Sequence, residues 1–255
     1  MVAARSSRTA APIAVVAAEP ALEPVALELA ARLGLPRVSV EAWRGGAGGP
    51  VVVWCEAAGL ALRGTAASRA GPVRPVPPVA ARAGRDPLLR AVGPWRDVLD
   101  ATAGWGADAG TLAAAGRDVV LIERHPVLAA LLGDALACWR RDGVGAASRM
   151  RLVVADAREK LTTAAADVVF LDPMYPEAAG GARARKAEGL HLLRLLAGDD
   201  DDQDELLVLA RRAARQRVVV KRPRHAPPMA GRPPNGTLVG RTVRYDLYAP
   251  EEVDP

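Results

Sequence analysis

The chain has 255 residues, 50% of them hydrophobic and 25% charged, which provides for a sizeable core and excludes wholesale disorder. Its two cysteines, Cys55 and Cys138, exclude a disulfide-rich scaffold and a four-cysteine zinc site, and His125, His191 and His225 are too scattered for a histidine metal cluster, so no metal is expected. The net charge of +5 is unevenly spread: residues 95–210 carry 13 basic and 19 acidic groups, residues 211–255 carry 10 and 4, and a cationic flank of that kind points to a polyanionic partner.

Residues 1–10 read as a loose N-terminus. Arg5 and Arg8 precede an Ala-rich run, but Pro12 interrupts it, and the stretch to Leu35 is broken by further prolines and glutamates. Neither a signal peptide nor a membrane span fits, and a cytoplasmic setting is expected. Pro24–Leu35 has a helical pattern, with Val25, Leu29, Ala30 and Leu33 on one face and Gly34 as a stop. Val51–Cys55 is β-like, and Gly59–Arg63 can pair with it. Residues 71–87 contain five prolines and predict a linker or irregular strand. The boundary is set there: residues 1–80 form a small N-terminal subdomain and residues 81–255 the main domain.

Leu88–Val92 predicts a short helix. From Trp95 the pattern becomes a regular alternation. Strands are expected at Asp97–Ala101, Asp118–Glu123, Leu152–Ala155, Asp167–Leu171 and Arg217–Lys221, with a final strand or hairpin over Thr237–Ala249. Helices are expected at Asp108–Ala115, Pro126–Arg141 and Asp204–Arg215. Apolar runs such as DVVFL and RVVVK suit strands buried on both faces. Strands alternating with helices predict an α/β fold with a mostly parallel sheet covered on both sides. The acidic run Asp199–Glu205 reads as a solvated loop leading into a helix N-terminus, and Arg211, Arg212 and Arg215 close that helix at its negative end.

Four features carry chemistry. The segment Asp100-Ala-Thr102-Ala-Gly104-Trp-Gly106-Ala107-Asp108 follows a strand, opens a helix and approximates a nucleotide-binding glycine turn. Glu123 ends the next strand, where a carboxylate can accept hydrogen bonds from two ribose hydroxyls; the competing reading is a surface carboxylate paired with Arg124. Together these permit either a dinucleotide or S-adenosylmethionine (SAM). The third feature, Asp172-Pro173-Met-Tyr175-Pro, ends the fourth strand at the edge where open α/β sheets bind ligands. A carboxylate there can accept an N–H from a base amine whose lone pair is delocalised, and Tyr175 offers a face for the ring. A proline turn with a buried tyrosine is the alternative. Asp156 is either an adenine contact or a helix N-cap. The fourth feature is cationic: Lys221, Arg222, Arg224 and His225 follow a strand, and Arg183, Arg185 and Lys186 follow the DPMYP segment. Both clusters are expected as a phosphate-binding rim.

The blocks DATAGWGADAGTLAAAG, VVLIERHPVLAALL, DVVFLDPMYP, RVVVKRPRHAPPMA and RYDLYAP, in this order, resemble the ribosomal RNA small subunit methyltransferase J family from about residue 88 to the C-terminus. The resemblance implies a class I SAM-dependent methyltransferase, Rossmann-like, with a seven-stranded mostly parallel sheet and an antiparallel last hairpin. It implies methyl transfer from SAM to the N2 amino group of a guanosine in 16S rRNA of the small ribosomal subunit. Cofactor contacts carried over by position fall at Ala107, Asp108, Glu123, Arg124, Asp156, Ala157 and Asp172; Thr102, Gly104 and Gly106 join them through the glycine turn. Asp172, Pro173 and Tyr175 are the expected catalytic set. The chain departs from the family where Ala107 replaces an arginine, Asp156-Ala157 a serine pair and His125 an asparagine; a Gly-rich segment is reduced to Ala83-Gly84-Arg85. Three other readings stay open: an amino-methyltransferase for another base, an NAD-dependent oxidoreductase, and a non-catalytic RNA-binding protein on the same scaffold.

Overall fold

A computed structural model describes residues 13–68, 70–79, 86–173, 191–192, 195–196 and 203–251. The expected loose segment 1–10 lies outside them. The chain forms two compact units, Met1–Arg74 with Pro176–Asp199, and Pro75–Tyr175 with Asp200–Pro255.

In the first unit, strand β1 (Ile13–Ala17) runs parallel to β2 (Val51–Glu56), and β2 pairs antiparallel with β3 (Gly59–Gly64). The hairpin expected from Val51–Cys55 and Gly59–Arg63 is present. Strand β1 is a finding beyond the sequence reading, since IAVVA there looked only like interrupted apolar sequence. Helix α1 (Glu23–Leu33) ends on Gly34 at φ 65, in the left-handed region that favours glycine. Its buried face is Ala26, Leu29 and Ala30, and Val25 is 49% exposed, so the apolar stripe is rotated from the one expected. A further helix, α2 (Val40–Arg44), is capped by Ser39, which accepts from the Ala42 N–H at 3.1 Å. Trp43 and Trp54 pack at 5.0 Å between ring centroids, with the Arg63 guanidinium over both rings.

The second unit is built on one sheet. After helix α3 (Pro87–Val92) come strand β4 (Asp97–Asp100), helix α4 (Ala107–Ala114), strand β5 (Asp118–Glu123) and helix α5 (Pro126–Arg141). There follow β6 (Met150–Val154), α6 (Ala157–Leu161), β7 (Ala166–Leu171), α7 (Gln203–Ala213), β8 (Ala214–Pro223), β9 (Gly236–Val239) and β10 (Val243–Tyr248). The strand order is β6-β5-β4-β7-β8-β10-β9. The first five are mutually parallel, while β10 is antiparallel to both β8 and β9.

Period-two alternation feeds both faces of this sheet. Val98, Leu121, Val168, Phe170 and Val219 pack with Leu112 of α4 and with Leu132, Leu136 and Trp139 of α5. Leu99, Ile122, Val169, Leu171, Val218 and Val220 pack with Leu161 of α6 and with Leu206, Leu207 and Ala210 of α7. The chain leaves β4 toward β5 on one side, and β7 lies on the other. That reversal opens a crevice at the carboxyl ends of β4 and β7, where sheets of this kind bind ligands.

Candidate active site

Four segments converge on the crevice. Strand β4 ends in Asp100, which is 2% exposed and accepts the Thr102 N–H at 3.1 Å. Thr102 continues alongside β7, and its Oγ1 accepts the backbone N–H of Asp172 at 2.6 Å. The first residue of the DPMYP segment is thus tied to the glycine turn. That turn depends on its glycines. Gly104 and Gly106 have φ of 50 and 69, and a Cβ on Gly106 would lie 2.8 Å from Leu132 Cδ1, so a side chain fits there neither conformationally nor sterically.

Glu123 closes the turn from the neighbouring strand. Its Oε2 accepts the Gly104 N–H at 2.9 Å, and its Oε1 accepts the His125 N–H at 2.8 Å. At 8% exposure it is not a surface carboxylate. Arg124 itself is exposed, as is Ala107 at the start of α4. Asp156 accepts the Arg158 N–H at 2.8 Å and pairs with the Arg158 guanidinium at 2.7 Å, and these contacts hold its carboxyl below the usual range. It is the N-cap of α6, with Ala157 buried behind it.

Carboxylates dominate the centre. The Lys221 Nζ lies 2.5 Å from Asp108 Oδ2 and 2.9 Å from Asp172 Oδ2. Asp100 faces the same group: burial pushes its carboxyl up to about 8, and Asp108 and Asp172 add to that against the Thr102 N–H and Lys221. Among the described residues three carboxyls face one ammonium, and even with Asp100 protonated the two carboxylates of Asp108 and Asp172 exceed the single charge of Lys221. A sulfonium with an α-ammonium supplies what is missing, and a Cβ on Gly104 would meet only the Thr102 carbonyl oxygen, at 4.0 Å. The residues present therefore fit SAM. Among the described residues no cluster of His, Cys, Asp and Glu could hold a metal ion.

The cationic rim needs correction in two places. Lys221 is engaged by two carboxylates and is not an outward phosphate contact. Arg222 is 4% exposed and donates to the Pro227 carbonyl, which makes it a brace for the turn after β8. Arg224 and His225 are exposed on that turn. Tyr175, Arg183, Arg185 and Lys186 lie outside the described residues, and Pro173 is buried. Asp100 was missed as a site residue, although it stands at the strand end of the very motif that marked the turn. A cavity of about 450 Å³ beside α7, lined by Asp204, Glu205, Arg212 and Arg232 among others, shares no residue with this cluster.

Residues 80–250 match the SAM-dependent methyltransferase family. Across 239 residues the chain is 40% identical to ribosomal RNA small subunit methyltransferase J of Thioalkalivibrio sulfidiphilus, covering 86% of this chain and 91% of the relative. The chain belongs to the ribosomal RNA small subunit methyltransferase J family. A second methyltransferase J, from Chromohalobacter salexigens, is 40% identical across 89% of this chain and 94% of its own. A solved SAM-dependent methyltransferase from Neisseria gonorrhoeae superposes with a TM-score of 0.67 at 26% identity, covering 94% of this chain and 98% of that one. The fold is accordingly class I, Rossmann-like, and the cofactor of this methyltransferase J family member is SAM rather than NAD.

The charge on Asp100 has a measurable consequence. Its folded-state pKa is raised from 3.8 to about 8, so the native state holds this proton more tightly than the unfolded chain. Stability contributed by the protonated form is present below the unfolded value and is lost as pH rises toward 8. Thermal melting of the cofactor-free protein is expected to fall across that window. Asp100→Asn, which keeps the acceptor for the Thr102 N–H, is expected to flatten the fall. An identical slope in the variant removes Asp100 as its source.

Proposed function

We propose that this chain transfers a methyl group from SAM to the exocyclic N2 amino group of a guanosine in 16S rRNA of the small ribosomal subunit. The observation that carries the reading is Asp172 at the carboxyl end of β7, joined through its N–H to Thr102 of the glycine turn at 2.6 Å. That bond supports a reading in which base-amine acceptor and cofactor turn share one crevice. The relatives named as small subunit rRNA methyltransferases support the substrate class.

SAM bound at the turn supplies an electrophilic methyl on a sulfonium. The work of the protein is positioning. In this reading Gly104, Gly106, Ala107 and Asp108 hold the methionine portion and Glu123 the ribose. A carboxylate can accept about four hydrogen bonds, so holding two backbone N–H groups is compatible with that role. Arg124, Asp156 and Ala157 flank the adenosine side. Asp172 accepts an amine N–H and favours sp³ character as the new bond forms, with the Pro173 neighbourhood supplying acceptors and Tyr175 a stacking face. Proton loss follows transfer, so no strong base is required. Arg224 and His225, with Arg183, Arg185 and Lys186, are proposed as phosphate contacts.

The setting is proposed as cytoplasmic, with residues 1–80 as a small N-terminal subdomain and linker and residues 81–255 as the methyltransferase domain; among the described residues no helix is long and apolar enough to cross a membrane. The test is incubation of labelled SAM with small subunits lacking the modification, followed by mapping of the labelled nucleotide by mass spectrometry. Label on a guanosine N2 of 16S rRNA is the expected result. Label on adenine, or on another RNA only, overturns the substrate.

A further inference from the structure

Lys221 stands one residue beyond the last paired position of β7 and β8, Leu171–Val220. Val218, Val219 and Val220 before it are fully buried, and they carry the chain along the sheet to the crevice. The ammonium meets carboxylates from two different elements, Asp108 in the first turn of α4 at 2.5 Å and Asp172 past the end of β7 at 2.9 Å. Two carboxylates sharing such a site cannot both stay ionised without a cation between them. The other ionisable groups facing the cluster are Asp100 at the end of β4 and Tyr245 on β10, the register partner of Lys221. Asp86, the N-cap of α3, also acts on Tyr245. Among the described residues Lys221 is thus the cation that faces these four acidic groups.

We propose that Lys221 is a positioning residue for methyl transfer: its ammonium bridges Asp108 and Asp172, keeps Asp172 ionised, and fixes it against the cofactor turn. The inference rests on the reading of Asp172 as the acceptor for the amine. An ionised carboxyl only accepts hydrogen bonds, whereas a protonated one presents a donor to an amine that is itself a donor. Burial pushes Asp172 up to about 6, with Lys221 pulling down and Asp108 pushing up. Burial alone would lower the Lys221 ammonium, but Asp172 and Asp108 hold it above its ordinary value, so it stays charged across the working range. Activity that needs ionised Asp172 is present above its pKa and is lost as pH falls through it. Without Lys221 that loss begins at higher pH.

Two readouts on the full chain test this. One is a carbon-13 NMR titration of the Asp172 carboxyl, assigned by its disappearance in Asp172→Asn. The other is the pH profile of transfer from labelled SAM to small subunits lacking the modification. In Lys221→Met both the carboxyl midpoint and the acid limb of kcat are expected to move up by about one pH unit or more, which lowers kcat at pH 6 roughly fivefold beyond any uniform loss. Lys221→Arg keeps the charge and is expected to leave the limb near its wild-type position. A phosphate contact behaves differently: its loss raises KM and weakens the salt dependence without moving the limb. Thermal melting checks folding, and Lys221→Gln is read in the same way if Lys221→Met does not fold. An unmoved Asp172 titration in a folded, uncharged variant overturns the proposal. A wild-type chain inactive on those subunits, with the carboxyl titration still moved in the variant, overturns the substrate reading while supporting the bridging role.

Discussion

Replacing Asp172 with alanine is expected to lower methyl transfer by about a hundred- to a thousand-fold, the scale seen when one preorganised polar contact to a reacting group is removed. The loss should fall on kcat, because in the proposed reading the glycine turn and Glu123, not Asp172, carry most of the hold on SAM, and the proposed phosphate contacts carry the hold on RNA. The fold should survive. Asp172 is half-buried, its backbone N–H to Thr102 is kept by any residue, and Lys221 retains Asp108 at 2.5 Å. Single-turnover rates with saturating SAM and subunits, alongside thermal melting, measure both parts. Near-normal turnover in a folded Asp172→Ala protein removes this carboxylate from the chemistry. Asp172→Asn adds a finer cut. It keeps one acceptor oxygen but brings an NH₂ donor and removes the charge facing Lys221, so it is expected to recover little of the rate.

What could be read from the sequence and what could not follows from the range of the interactions. DVVLIE and DVVFL announce strands because burial on both faces leaves continuous apolar runs, and β5 falls at Asp118–Glu123 as expected. Pro126 in the first turn and Arg140 and Arg141 in the last delimit α5 equally well. Glu123 and the glycine turn could be paired in advance because strand, turn, helix and next strand form one local unit. Strand β1 was invisible for the opposite reason: five small apolar residues become a strand only against Val51–Cys55, a partner distant in sequence. Lys221 and Arg222 show the same limit. Their charges alone suggested a shared phosphate rim, yet adjacent strand residues point to opposite faces of a sheet. That alternation was available, and it already implied that the two could not do the same job. What Lys221 faces was not available, because its partners Asp172 and Asp108 lie 49 and 113 residues away. At Asp156 the helix-cap alternative describes the contacts, as an aspartate before AREKL would suggest.

Glu123→Ala should strike cofactor binding. The carboxylate joins the Gly104 N–H of the turn to the His125 N–H at the entry of α5, at 2.9 and 2.8 Å. Removing it leaves two partly buried backbone donors without this partner, each costing up to about 1–3 kcal/mol where water cannot replace the carboxylate. It also removes the proposed charge-assisted bonds to the ribose hydroxyls, each of about 1.5–3 kcal/mol. The affinity for SAM is therefore expected to fall by at least about tenfold, and more if both hydroxyls are held. A lowered melting temperature should accompany it, since the turn loses one of its ties to β5, keeping the Ala103 N–H bond to the Ile122 carbonyl, even before a ligand binds. Glu123→Gln separates the two effects. Its amide has one oxygen for two backbone N–H groups and must turn its NH₂ toward the other, so it cannot restore the bridge. Calorimetric titration with SAM and thermal melting decide the matter together. A fallen melting temperature with unchanged SAM affinity would make Glu123 a brace for the turn and remove it from the cofactor's contacts. Loss of affinity at nearly constant stability would make the ribose its main partner. Both losses together are the expected result, because one carboxylate spans the turn that builds the site and the strand end that faces the ligand.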